Sequence, residues 1–254
     1  MKDFVREALQ QYMPPDYSAH GWQVDRIIYI THWLMFVLFV FWGAYFLYAL
    51  YRFSAKRNPR ASYHGMKSHW STWSEAGVAV VEVIILVGFS IPGWYQWSRR
   101  IEKDNNPLEV RIIGEQFAWN VHYSGPDGKF GRTLPSLVTS TNPIGLDMTD
   151  PAAKDDVVSL NNLHLEVNRQ ALIHVTSKDV IHSFKLPVMR VEQDAIPGAD
   201  VPIHFTPIRT TNGDRWEIAC AQLCGLGHYR MRGQIYVDTK ADLQKWMSEQ
   251  PKVQ

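Results

Sequence analysis

Cys220 to Met231 reads "CAQLCGLGHYRM", and both cysteines of the 254-residue chain fall inside it. A disulfide between Cys220 and Cys224 would close a very small loop and stabilise the fold little. The residues after the thiols point elsewhere. Cys224, His228 and Met231 set a thiolate, an imidazole and a thioether at steps of four and three along one loop. A blue-copper site needs one thiolate, two imidazoles and a weak thioether. The loop is short of one imidazole, which an upstream histidine must supply. His182 in "KDVIHSFKLP" fits best, after a strand and before a Pro-bounded turn, with His122, His164, His174 and His204 as competitors. The second thiol changes the count. Two soft sulfurs, two imidazoles and a thioether can hold two coppers, each sulfur bridging both, so that an exchanged electron is spread over the pair. Zinc is the main rival metal, but a tetrahedral Cys/His zinc site has no use for Met231.

Around this loop the chain reads as β. "LEVRIIG", "FAWNVHY", "HLEVNRQALIHVTS", "VPIHFTPIRT", "DRWEIACAQL" and "GQIYVD" are short runs rich in β-branched and aromatic residues. Turn signals such as Gly125-Pro126-Asp127-Gly128 and Asn212-Gly213-Asp214 separate them. Many short strands without intervening helices predict an all-β sandwich. Ser124 to Asp156 is rich in Gly, Pro and Asp and is expected to be a surface excursion. "KADLQKWMSEQ" predicts one short amphipathic helix at the end.

The N-terminal part obeys another pattern. "IIYITHWLMFVLFVFWGAYFLYALY", Ile27 to Tyr51, has no polar face, and at 1.5 Å per residue it crosses a hydrocarbon core of about 30 Å. "EAGVAVVEVIILVGFSIPGWYQW", Glu75 to Trp97, is long enough too, though Glu82 and Pro92 interrupt it. Trp70, Trp73, Trp94 and Trp97 stand where interfacial belts belong. Between the runs, Arg52 to Ser74 carries Arg52, Lys56, Arg57, Arg60 and Lys67 and no acid, which places it in the cytoplasm. Beyond the second run, Arg99, Arg100 and Lys103 are mixed with Glu102 and Asp104. The plan is an extracytoplasmic segment 1–26, membrane helix 27–51, cytoplasmic loop 52–74, membrane helix 75–97, β domain 105–240 and a C-terminal helix and tail 241–254. No short-run signal peptide is read, so the first helix would target the chain to the membrane. A net charge of +1 implies no nucleic-acid partner.

With these features side by side, the chain resembles subunit II of the haem–copper oxidases, the cytochrome c oxidase subunit 2 family with its binuclear CuA centre. Two membrane helices precede a cupredoxin-like domain, and "DVIHSF", "QDAIPG" (Gln193 to Gly198) and "CAQLCGLGHYRMRG" follow the family's pattern. The resemblance implies copper ligands His182, Cys220, Cys224, His228 and Met231, with the backbone carbonyl of Gln222 as a sixth contact. It implies that electrons arrive from a cytochrome c-type donor and leave by His228 toward haem in subunit I. That subunit reduces oxygen and pumps protons, so the chain is part of an oxidoreductase and translocase but carries only electron transfer. No Cys-x-x-Cys-His occurs, and no haem is expected in this chain. The resemblance leaves a bacterial periplasm and an intermembrane space open; the unread signal peptide and the divergent motifs favour a bacterial inner membrane, with the copper domain on the periplasmic side.

Three positions depart from the family's usual residues. Gln222 stands where mitochondrial-type subunits have a Glu that helps hold magnesium, and hard Mg²⁺ favours carboxylate, so magnesium at the subunit I interface is not expected. Phe117 stands where a Trp accepts the electron, with Trp119 two residues on. Strand alternation would put both on one surface over the copper loop, an apolar docking patch; core packing is the other reading of Trp119. Glu75 matches a family Glu that opens a proton channel, or is an ordinary interfacial carboxylate. Glu82, two turns deeper and where the family often has an apolar residue or Pro, is expected to face protein or water rather than lipid, as a proton-pathway group or as a hydrogen-bond partner of a neighbouring helix. The alternatives for the whole are a nitric oxide reductase that kept a CuA subunit, and a copper carrier, against which the five-ligand set and the membrane hairpin argue.

Overall fold

The computed structural model describes residues 12–60, 63–64, 68–99 and 106–251. Lys67, Arg100, Glu102, Lys103, Asp104, the domain limit at 105 and the first eleven residues of the N-terminal segment lie outside them, as do the side chains of Trp97 and Arg99. The chain divides into two units, 27–102 and a second made of 1–26 with 103–254.

The first unit is helical. Helix α1 (Gly21–Arg52) and the run of α2 (Trp70–Ile85) into α3 (Ile91–Arg99) are both long and apolar enough to cross a membrane. Their apolar side chains are exposed nearly throughout, which in water would be prohibitive and in lipid is the stable arrangement. Between α2 and α3 the helix widens into a π turn, Leu86–Ser90. The next turn holds Pro92, which has no N–H to donate and whose ring crowds the carbonyl four residues back, and a π turn relieves both. Helix α1 starts at Gly21 rather than Ile27: the Ser18 hydroxyl accepts the Gly21 N–H at 2.9 Å and Asp16 accepts from Ser18 in turn, so capping, not hydrophobicity, sets the start.

The second unit is a sandwich of two five-stranded sheets. Strands β1 (Leu108–Glu115), β2 (Ala118–Tyr123), β3 (Val157–Leu160), β5 (Ala171–Ser177) and β8 (Val201–Phe205) form one, in the order β3-β2-β1-β5-β8. Strands β4 (Asn162–Glu166), β6 (His182–Leu186), β7 (Val191–Ala195), β9 (Trp216–Cys220) and β10 (Arg232–Asp238) form the other, in the order β4-β10-β9-β6-β7. Period-two patterning does the sorting: Val110 and Ile112, Ile173 and Val175, and Ile235 and Val237 all point into one core with Trp119, Phe184 and Ile218. The Tyr123 hydroxyl joins the sheets, accepting from the His164 N–H at 2.7 Å and donating to its carbonyl at 3.1 Å. Helix α4 (Lys240–Glu249), capped by Thr239, closes one end by burying Leu243 and packing Trp246 and Met247 on the core.

The segment before α1 is also part of this unit. Tyr17 N–H donates to Val188 O at 2.7 Å, Ala19 N–H to Thr206 O at 2.9 Å, and Ile208 N–H to Tyr17 O at 2.9 Å. Asp25 and Arg190 form a buried ion pair at 2.7 Å, and Arg190 also donates to the carbonyls of Pro14 and Pro187. The sandwich therefore draws on residues ahead of the first helix, which a reading of 1–26 as a separate segment did not anticipate.

Candidate metal centre

Antiparallel pairing of β6 with β9 sets Phe184 opposite Cys220. The Ala221 N–H then donates to Ser183 O at 2.9 Å, which carries the pairing one step past the strand. His182, at the head of β6, thus lies beside the loop that Cys220 begins. The loop from Ala221 returns through a 3-10 turn, His228–Arg230, closed by His228 N–H to Gly225 O and Met231 N–H to His228 O, both at 3.1 Å. Two sheet ends and one turn bring the donors together.

The Cys220 sulfur lies 3.9 Å from that of Cys224 and 4.0 Å from His182 Nδ1. The Cys224 sulfur lies 3.7 Å from His228 Nδ1 and 3.8 Å from the Met231 sulfur. The Gln222 carbonyl is 3.2 Å from the Cys220 sulfur. All six positions named from the sequence converge, and the competing histidines do not. His122 bonds Asp156, His164 bonds Asp238 and His174 bonds Asp200, while His204 lies on β8 in the other sheet. Cys224 and Met231 are buried, His182 fully so, and Cys220 and His228 half-buried. Burial, reinforced by neighbouring Cys220, pushes the Cys224 thiol up to about 11. Without a cation that thiol keeps its proton, and a soft metal ion is what would displace it.

The surroundings contain two residues that sequence reasoning missed. Asp179 Oδ1 lies 2.8 Å from His182 Nε2 and accepts the Val180 N–H, and its Oδ2 accepts the Gln116 N–H at 2.7 Å. Burial would raise the Asp179 carboxyl, but these hydrogen bonds outweigh it and hold it below its ordinary value. Asp179 bonded at Nε2 leaves His182 Nδ1 turned to the sulfurs. The signal was legible as Asp-x-x-His in "KDVIHSF". Gln116 gave no such signal.

The two aromatic residues part company. Phe117 lies in the turn between β1 and β2, not in a strand, so alternation does not apply to it. It is about one-third exposed, and its ring lies over the metal loop so closely that a Cβ on Gly227 would stand 2.4 Å from it. Trp119 is completely buried, edge-on to His182 at 5.9 Å and to Phe184 at 5.5 Å, so the expectation of a shared surface is corrected. Glu75 and Glu82, seven residues apart, lie on one face of α2, and Glu75 accepts from the Ser71 hydroxyl at 3.1 Å.

A β-sandwich with thiols, imidazoles and a thioether gathered at one end, preceded by two membrane-length helices, is a membrane-tethered protein of cupredoxin-like fold. The comparisons narrow this class. Residues 108–238 match the family described as "Cytochrome C oxidase subunit II, periplasmic domain", and the chain belongs to that family, whose members are subunits of a haem–copper oxidase. It is 31% identical to the alternative cytochrome c oxidase subunit 2 of Bradyrhizobium diazoefficiens, over 91% of this chain and 82% of that protein. It is 28% identical to a probable cytochrome c oxidase subunit 2 of Rickettsia bellii, over 90% of this chain and 78% of that one. Among solved structures, the periplasmic domain of subunit II of cytochrome oxidase of Bradyrhizobium japonicum is 27% identical, with 56% of this chain and 91% of that one covered and a TM-score of 0.40.

Proposed function

We propose that this chain is the subunit through which electrons enter a bacterial respiratory oxidase, and that it holds two copper ions between His182, Cys220, Cys224, His228, Met231 and the Gln222 carbonyl. The observation that carries this is the convergence of two sulfurs 3.9 Å apart with an imidazole nitrogen beside each and a thioether beside one. A single tetrahedral ion takes four donors, and five side chains and a carbonyl converge here. Two coppers shared by the thiolates would supply a one-electron centre with its charge spread over both ions.

The chain's own residues do the rest. The ends of β6 and β9 fix His182 and Cys220 and the return into β10 fixes Met231, so little rearrangement accompanies a change of charge. Phe117, part-exposed over the loop, is where a cytochrome c-type donor makes contact, and buried Trp119 lies inward of it beside His182. Leu223, Leu226 and Tyr229 of the loop are exposed and uncharged, so contact there depends weakly on salt. His228 leads toward haem in subunit I. Residues 52–74 lie in the cytoplasm and the sandwich in the periplasm, because the described part of the loop is basic. Glu75 and Glu82 turn their common face to subunit I, since carboxylates do not face lipid.

The test is purification of the complex and then metal analysis and turnover. Two coppers per copy of this chain, an unpaired electron shared by both ions, and oxygen consumption with a reduced c-type cytochrome are expected. One copper, or zinc in place of copper, would overturn the metal assignment, and nitric oxide turnover without oxygen turnover would select the reductase reading.

A further inference from the structure

One two-residue turn touches both parts of the candidate metal centre. The Gln116 side-chain amide donates to the Cys224 carbonyl at 2.6 Å, while its backbone N–H donates to Asp179 at 2.7 Å, the carboxylate that also bonds His182. Its neighbour Phe117 covers Gly225 and Gly227. Gly225 holds φ at +136°, a backbone conformation that side-chain-bearing residues rarely adopt, and a Cβ there would lie 2.7 Å from Gln116 Nε2. Permissive backbone therefore comes directly after Cys224, and β pairing fixes Cys220 but not Cys224. Besides the burial of its side chain, the Cys224 backbone is tied by a hydrogen bond from a residue 108 positions away.

We infer that Gln116 is a positioning residue for the metal centre: through the Cys224 carbonyl and Asp179 it sets the separation between the Cys224–His228 arm and the His182 arm. This rests on the copper reading above and deepens it. The physical reason is one of degrees of freedom. A loop of eleven residues, tied to the sheet at its ends and turned on itself only from Gly225 onward, has slack just before that turn, where Cys224 sits. A short, part-buried hydrogen bond removes the slack before any ion arrives, so the donors do not have to be gathered by the ion itself. An apolar residue of the same length would keep the volume and lose the tie.

Gln116→Met tests this in the full-length chain within its complex, with copper as the probe. The expected results are an apo-protein melting point within a few degrees of wild type, copper released to a Cu(I) chelator about tenfold faster, and a shifted visible and paramagnetic-resonance signature. A purely structural role would lower the melting point and leave the spectrum of the loaded fraction unchanged. Unchanged release and unchanged spectrum in a folded variant would overturn the inference. If the methionine variant does not fold, Gln116→Asn carries the same expectations and the same overturning result, because it keeps the amide but withdraws it by one methylene from the Cys224 carbonyl. Failure of the copper reading is distinguishable, since wild type itself would then hold no copper pair.

Discussion

The loop from Ala221 to Met231 and the excursion from Ser124 to Asp156 are both irregular backbone, and both are ordered, but by opposite means. The metal loop gathers soft donors that have no charge to neutralise until an ion arrives, and beyond its one 3-10 turn and its ends its order comes from outside, from Gln116 and Phe117. The excursion is ordered from within, by carboxylates accepting backbone N–H groups. Asp127 accepts from Lys129, Asp150 from Arg132 and Ala152, Asp155 from Asp127, and Asp156 from Gly131. One region is an unfinished site that a cation completes, and the other is a finished structure. Irregular chain therefore has to be judged by what its polar groups are bonded to, since both regions lack strands for most of their length.

The largest effect that separates them is expected at Cys224. Its sulfur contacts Cys220, His228 and Met231, whereas Cys220 contacts His182, Cys224 and the Gln222 carbonyl. Cys224→Ser should abolish the copper pair, and Cys220→Ser should leave Cys224, His228 and Met231 able to hold a single ion. Copper per chain and the visible spectrum check this. Neither change should move the melting point of the apo protein much, because these donors are not what orders the loop. Two coppers retained in Cys224→Ser would break the comparison at its root.

The second effect belongs to the excursion. His122 and Asp156 meet at 2.6 Å with both side chains fully buried, and Gly131 N–H donates to the same carboxylate oxygen. Asp156→Ala removes the acceptor of two buried donors, and the expected loss is about 3 kcal/mol of stability. Chemical denaturation measures it, and copper content per folded chain should stay at the wild-type value. A loss of copper without a loss of stability would show that the two regions are not independent.

The contrast also explains what was legible in the sequence. Cys220, Cys224, His228 and Met231 are neighbours in the chain, so their spacing alone announces a site, and His182 is found by asking what that site lacks. The sandwich was legible because alternation in "ALIHVTS" and "GQIYVD" needs only local reading. Gln116 to Cys224 and Asp25 to Arg190 are single contacts between distant residues, with no periodicity to betray them. The N-terminal segment looked separate because its ties to Val188, Thr206 and Ile208 are backbone hydrogen bonds, which any residue can make. Phe117 was misplaced for a related reason. Strand alternation breaks at the Gln116–Phe117 turn, which carries no Gly or Pro to mark it, so Phe117 lies over the loop while Trp119 is buried.

The smallest effect is one of pH, at Asp147. Its carboxylate accepts from the Thr149 hydroxyl at 2.6 Å and from Arg132 Nε at 3.1 Å. The Thr149 hydroxyl first, and then Arg132, hold the carboxyl down to about 2, against an ordinary 3.8. A depressed folded-state value means that the unfolded chain takes up its proton first as pH falls. The contribution of Asp147 is therefore complete above the ordinary carboxylate range, shrinks as pH falls below 3.8, and is gone once pH passes about 2. Asp147→Asn keeps the shape but removes the charge that Arg132 and Thr149 bond. Melting curves of the two proteins should differ at neutral pH by less than the Asp156 effect, since the Arg132 side chain is largely exposed and water screens the pair. The curves should draw together between about pH 4 and pH 2. A difference that persists undiminished at about pH 2, or that is absent at neutral pH, would mean that charge at Asp147 does not order the excursion. The division between an internally finished region and one awaiting its ion would then have to be redrawn around Asp156 alone.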